Sequence, residues 1–301
     1  MAGMMPPMKT LNVIGAGRVA RTLGSLWSGK GTFAIQDVLA GSIDGARSAV
    51  AFIGAGTASG AIETIRTADV WMIATPDREI VNSADRFSKV GLLRAGDVVF
   101  HCSGSIASLE LSAAAAAGAH VASVHPLKSF ADPHEAIRTF DGTYCAAEGD
   151  STALAVLVPA FEGIGGRICE IDPQFKTVYH AASVIVCNYL TALLEAGLRC
   201  YGKAGLDRAT ATRMMEPLVR ETLENVLELG TARALTGPVA RGDDLVVKRH
   251  LAALDAWDER IAAIYRELGM VALDLAREQG EADGDALARL EALLKRNPRA
   301  P

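Results

Sequence analysis

Cysteine is scarce, five residues in 301, and no two are spaced C-x-x-C. The six histidines include no H-E-x-x-H pair, so no zinc site is expected. Cys102, Cys145, Cys169, Cys187 and Cys200 are odd in number and widely separated, which does not suit a disulfide framework. They read instead as reduced thiols packed in apolar strands and helices, and the cytoplasm follows. Long basic runs are missing and the formal net charge is -5, which leaves no footprint for nucleic acid. The longest apolar run, Ala181 to Leu194, is broken by Ser183, Asn188 and Thr191 and is too short for a bilayer. It reads as a buried helix, and no membrane partner is expected. Met1 to Thr10 has prolines at Pro6 and Pro7 and no apolar stretch of secretory length, so it reads as a frayed start. What remains is a composition 50 % hydrophobic and 22 % charged, ordinary for a globular chain of two domains whose partners are small molecules.

The most informative stretch is Val13-Ile14-Gly15-Ala16-Gly17-Arg18-Val19-Ala20, an apolar strand running through G-x-G-x-x-A into a helix. Gly15 allows the tight turn, Gly17 lets backbone approach a pyrophosphate, and Ala20 lets the helix sit close to the strand. The backbone from Ala16 through Arg18 and Val19 then faces phosphate oxygens at the positive end of the helix dipole. Gly54-Ala55-Gly56 shows the same G-x-G spacing but follows the helical run Arg47 to Ile53, so it reads as a helix stop. In the second strand, Asp37 sits at the start, whereas an adenosine ribose would bind past the carboxyl end, near Gly41, Ser42 and Asp44. Ser42, with Arg47 or Arg18 in reach, suits a 2′-phosphate. NADP is the expected cofactor, with NAD as the alternative through Asp44.

Apolar strands recur at Leu11–Ile14, Val38–Ala40, Val70–Ala74, Val98–Cys102, His120–Val124 and Thr143–Ala147, with helical segments between most of them. This alternation specifies an α/β fold: a doubly wound, Rossmann-like and mainly parallel sheet over residues 1–171. From Asp172-Pro173 onward the spacing turns helical, giving an all-α domain over residues 172–301. Its helices are expected at Phe175–Tyr201, Asp207–Leu229, Asp243–Leu254 and Ala256–Arg277, with Gly202, Gly205, Gly230 and Gly269 as punctuation.

Ligands of open α/β sheets bind at the carboxyl ends of the strands. Thr75-Pro76-Asp77 and Ser103-Gly104-Ser105 end two of them and are expected to border the nicotinamide ribose; plain helix capping is the alternative. Ser123-Val124-His125-Pro126-Leu127-Lys128 ends the strand His120–Val124. His125, with a reference pKa near 6.5, can give or take the proton that reduction of a C=O or C=N group requires. Lys128 would share that role or bind an anionic substrate. On the next long helix, Lys176, His180, Ser183, Cys187 and Thr191 form one polar stripe with Asn188 at its edge, which suits a substrate pocket or helix–helix hydrogen bonds. The loop from Leu235 through Thr236 to Asp243 presents Arg241, able to clamp a carboxylate, and Asp243, able to cap the following helix.

Together these segments resemble a bacterial family that joins a Rossmann-like domain to a helical domain of unknown function, DUF2520. That family is similar to pyrroline-5-carboxylate reductase, deazaflavin-linked NADP reductases, 6-phosphogluconate and β-hydroxyacid dehydrogenases and prephenate dehydrogenases. The resemblance implies an oxidoreductase whose helical domain forms a homodimer and closes the active site, with Arg241 serving its own or the partner subunit. It implies a proton donor on the first long helix, where His180 or Lys176 stands, with Asn188 nearby. His125-Pro126 is similar to the His-Pro pair of prephenate dehydrogenases. Lys128 departs from the glutamine expected there. The alternative to an enzyme is a nucleotide-responsive regulator that binds NADP without turnover.

Overall fold

The computed structural model describes residues 8–295; of the expected frayed start, residues 1–7 lie outside the described residues. The strands are β1 (Thr10–Ile14), β2 (Ala34–Leu39), β3 (Thr57–Ser59), β4 (Val70–Ile73), β5 (Val98–His101), β6 (His120–Pro126), β7 (Tyr144–Gly149) and β8 (Arg167–Glu170). They form one sheet in the order β3-β2-β1-β4-β5-β6-β7-β8. Every pairing is parallel except β6 with β7. The order reverses between β1 and β4, which opens a crevice at their carboxyl ends. The expected α/β class holds. The short β3 and the last strand β8 extend the sheet beyond the expected strands.

Successive residues of a strand point to opposite faces, so a strand covered on both sides must be apolar throughout. Val70 and Met72 join one core with Leu11, Val13, Phe100 and Trp27, while Trp71 and Ile73 join a second with Ile80 and Phe87. Helices α1 (Arg18–Lys30), α2 (Ile43–Ile53) and α6 (Ser151–Glu162) supply the first cover, and α3 (Asp77–Lys89) and α4 (Ser112–Ala116) supply the second. Trp27 meets Phe161 edge-on at 5.2 Å, and its indole N–H donates to the Ala160 carbonyl at 2.9 Å. Truncating such a residue to alanine costs about 3–5 kcal/mol. Gly54 ends α2 in the left-handed region (φ 81°), the helix stop its sequence predicts.

The chain divides into two compact units, up to Cys187 and from Asn188. The strands end at Glu170, as the sequence suggests, but the division by contacts falls later, within the helical run Pro173–Lys203. That run, which follows the shorter α5 (Pro133–Arg138) and β8, begins with a 3₁₀ turn, Pro173–Phe175, and continues through α7 (Lys176–Ser183) and a π-helical stretch, Val184–Tyr189, into α8 (Leu190–Lys203). The expectation of a buried helix over 181–194 is overturned: Ile185 is 58 % and Val186 71 % exposed. By length and composition this run is long and apolar enough to cross a membrane.

The second unit continues with α9 (Arg208–Leu229), α10 (Thr231–Ala234), α11 (Asp244–Asp255), α12 (Glu259–Gln279) and α13 (Gly284–Lys295). Val247, Leu251, Leu273, Leu290 and Leu294 form its core. Asp207 and Asp243 cap their helices by accepting from the amides of Thr210 and Val246. Gly269 does not punctuate. It lies inside α12, where a Cβ would stand 2.6 Å from Leu294 of α13, so the glycine serves close helix packing. The cysteines are not uniformly core thiols either: Cys145 is buried, but Cys169 and Cys187 are exposed, and no disulfide is present among the described residues.

Candidate active site

Gly15 sits at φ 115°, and a Cβ there would lie 2.4 Å from the carbonyl oxygen of Ala74. Only glycine lets the β1 turn pass so close to the end of β4. The Gly15 amide donates to Leu39 and the Ala74 amide to Ile14, both at 2.7 Å, so three strand ends are tied together at the crevice. Gly17 has a different role. It is the N-cap of α1 at φ -72°, with no side-chain cap and no acidic residue in the first turn. The helix therefore begins with amides that no side chain satisfies, and they sit at its positive end. A Cβ on Gly17 would meet nothing closer than Ala74 O at 3.8 Å. It would occupy the cleft.

Gly15, Ala16, Gly17, Arg18, Val19, Thr75 and Pro76 line a cleft of about 740 Å³ together with Ser129 and Phe130. A contiguous cavity of about 430 Å³ continues past Leu39 and Gly41 toward Glu79 and Arg86. The Thr75 hydroxyl is buried with no hydrogen-bond partner among the described residues. An orphaned polar atom in a cleft wall is expensive unless a ligand satisfies it. Ser42, exposed past β2, accepts from the Gly45 amide at 3.1 Å and so caps α2. Asp44 pairs with Arg47 at 3.5 Å. Asp37 is buried and bonded to Arg66 at 2.6 Å, so it serves the sheet and not a ribose.

At the end of β5, Ser103 and Gly104 do not line that cleft. Both Ser103 and Ser105 donate through their hydroxyls to Asp77, at 2.8 and 3.0 Å. Gly104 is wedged between two imidazoles, since a Cβ there would lie 2.5 Å from His180 and 2.8 Å from His125. His125 Nδ1 is 3.0 Å from the Tyr179 hydroxyl, and its ring centre is 6.1 Å from that of His180. The structure thus brings Gly104, His125, Tyr179 and His180 into one cluster.

Burial, helped by the charges of Lys176 and His180, pushes His125 down to about 4. Its imidazole is neutral at pH 7, which corrects the expectation of an ordinary pKa: a neutral ring relays a proton through its hydrogen bonds and does not hold a spare one. Burial also raises the Tyr179 phenol.

Lys176 is 1 % exposed. Its ammonium donates to Ser123 and pairs with Glu148 at 2.8 Å, and Glu148 in turn accepts from the Ser108 amide at 2.9 Å and hydroxyl at 2.6 Å. The polar stripe therefore splits, with Lys176 sealed in the interior and His180 at the cluster. Lys128 is not drawn in; its ammonium donates to the Thr139 carbonyl at 2.7 Å. Asn188, Thr236 and Arg241 belong to the second unit. Asn188 is exposed in the π-helical stretch, Arg241 is exposed in the turn before α11, and Thr236 borders an apolar cavity of about 480 Å³ with Leu193, Cys200 and Leu268. Among the described residues no group of three or more His, Cys, Asp or Glu side chains is placed to hold a metal.

Glu148 and Tyr179 are the participants that sequence reasoning missed; Asp77 and Ser123 stood in segments expected at the site but without a role of their own. Glu148 gave one signal, a lone carboxylate closing an apolar strand, where burial demands a partner.

Residues 143–271 match the family model of a domain of unknown function, DUF2520. The Thermotoga maritima protein TM1727 is similar over 90 % of this chain and 99 % of its own, at 28 % identity and a TM-score of 0.71. A Bacteroides fragilis protein, BF3122, described provisionally as an NADP oxidoreductase, is similar at 21 % identity and 0.69, over 89 % of this chain and 98 % of its own. Pyrroline-5-carboxylate reductase from Coxiella burnetii is similar at 16 % identity and 0.56, over 96 % of this chain and all of its own. No curated protein sequence matches. The chain has a Rossmann-like α/β fold, and its residues 143–271 match DUF2520, in line with the resemblance.

Proposed function

We propose that the protein is an NADP-dependent oxidoreductase, with NAD as the lesser cofactor. The observation that carries this reading is the cradle, in which an uncapped helix start faces a cleft whose Thr75 hydroxyl lacks a partner. Gly15 to Val19 would hold the pyrophosphate, and Ser42 with Arg18 or Arg47 would hold the 2′-phosphate. Thr75, Pro76, Ser103 and Gly104 would border the nicotinamide half. When bound, NADP(H) supplies the hydride chemistry. The chain's own residues handle the proton: the Tyr179 hydroxyl and His125 Nδ1 are in contact, and His180 stands beside them. The substrate class we infer is a small anionic carbonyl or imine compound. Arg241, Thr236 and Asn188 are its proposed contacts, with Arg241 serving the acidic group, whereas Lys128, held by the Thr139 carbonyl, would reach it only on leaving that bond.

We also propose a homodimer through the helical domain. Support comes from the exposed apolar side chains of Val186, Leu218 and Leu227. The odd cysteine count supports a cytoplasmic protein.

Titration calorimetry with NADPH and NADH is the deciding test. NADPH is expected to bind more tightly, and the reading fails if neither binds. A screen of 2-oxo acids and cyclic imines, followed by NADPH absorbance, then tests turnover; binding with no turnover on any of them would favour a regulator.

A further inference from the structure

Lys176 and Tyr179 are three residues apart on α7 and so share one face of the helix. Ser123 and His125 are two residues apart on β6 and so share one face of the strand. The two pairs meet as two rungs: Lys176 donates to Ser123, and Tyr179 contacts His125. The neighbouring strand explains why they seat this way. In the β6–β7 register Glu148 stands opposite Ser123 and Ala146 opposite His125. A carboxylate therefore awaits the lysine on the first rung, while a methyl group leaves room for the ring on the second.

The first rung is buried throughout, and the Glu148 carboxylate is further held by the amide and hydroxyl of Ser108. A buried ion pair adds little net stability, because both charges lose their water. Losing one partner, however, strands a charge in the interior. Only a register that keeps Lys176 on Glu148 and Ser123 is tolerable.

We infer that Lys176 is a positioning residue: locked to Glu148 and Ser123, it sets the register of α7 on β6 and β7 and thereby seats Tyr179 against His125. Its relevance to turnover rests on the proposed role of His125, whereas the seating stands apart from it. A sealed ammonium with both partners in place is out of a substrate's reach, so Lys176 is not the proton donor that the resemblance allowed. The charged and titratable groups around His125 are Lys176, Tyr179 and His180 from α7 and Asp77 from the start of α3. Lys176 and His180 disfavour its protonation and Asp77 opposes them.

The test follows the His125 ring nitrogens by NMR in the full-length, coenzyme-free protein. In the natural protein Y179F should shift the Nδ1 resonance. The paired change K176M/E148Q removes both charges together, nearly preserves volume and leaves Ser108 an acceptor. In that background Y179F is expected to cause no further shift. K176R keeps the charge but needs more room, and it is expected to shrink the Y179F effect; it serves if the paired variant does not fold. A Y179F shift of undiminished size in either background would overturn the inference. Because no coenzyme is present, that result is independent of whether NADPH binds.

Discussion

The sheet and the helices that follow it treat apolar side chains in opposite ways. Val13, Trp71, Met72 and Phe100 in the strands are fully buried, whereas Val186 is 71 %, Leu218 58 % and Leu227 85 % exposed. Apolar sequence says that a surface is to be covered, not by what. The strands are covered by helices of their own chain. Val186 and, in the second unit, Leu218 and Leu227 have no such cover among the described residues, which is why a second copy is proposed for them. The sharpest way to break this contrast is to charge the open face. V186D together with L227D is expected to convert a dimer into a monomer in sedimentation equilibrium, while V90D, at an exposed valine on the sheet unit, leaves assembly unchanged. A monomeric natural protein, or a doubly substituted dimer, would end the argument.

Within the sheet unit the cradle glycines offer the next largest effect. G15A places a Cβ 2.4 Å from the Ala74 carbonyl at a φ of 115°, so both strain and overpacking oppose folding. A loss of about 3 kcal/mol is expected in urea unfolding, with NADPH binding abolished. G17A has no such clash. Its stability should change by under about 0.5 kcal/mol, while NADPH affinity falls about tenfold as the methyl enters the cleft. Equal stability losses in both variants would mean that the two glycines share a purely structural role.

Acid should separate the units as well. His101 is fully buried, and desolvation pushes it down to about 4; His125 is pushed down to about 4 for the same first cause. A histidine whose folded pKa lies below its unfolded value near 6.5 takes up protons mainly on unfolding, so its stabilising contribution is complete above pH 6.5. That contribution is lost as pH falls from 6.5 toward about 4. For His101 the loss is about 3 kcal/mol. Calorimetric scans across this range should show the sheet unit's transition falling. H101N keeps an acceptor for the Ser103 amide and should flatten that slope. An unchanged slope would show that other groups govern the acid limit.

The fold was legible because it rests on local rules: apolar strand runs, glycine turns and Asp-capped helices are written in contiguous residues. The cradle was legible for the same reason. The cluster around His125 was only half legible. His125 and His180 declared themselves by residue type and place, but Tyr179 reads as one more aromatic on a mostly apolar helix. Glu148 meets Lys176 only because β7 runs antiparallel to β6, and a one-residue slip would turn the carboxylate to the other face. Lys176 itself was visible as a charge on an apolar helix. Whether it faced substrate or interior depended on that distant partner.

Thr75 gives the smallest effect and the most specific one. Its hydroxyl is buried in the cleft wall with no partner, so replacing it with the isosteric valine removes a desolvated polar atom without opening a cavity. T75V should therefore stabilise the coenzyme-free protein by about 1 kcal/mol. It should also weaken NADPH binding about fivefold, a hydrogen bond's worth of affinity. Opposite signs in the two measurements are what a residue kept for its ligand must show. If T75V instead destabilises the free protein, the hydroxyl has an internal partner, and the cleft loses the orphaned side-chain group that asks for a coenzyme beside the uncapped start of α1.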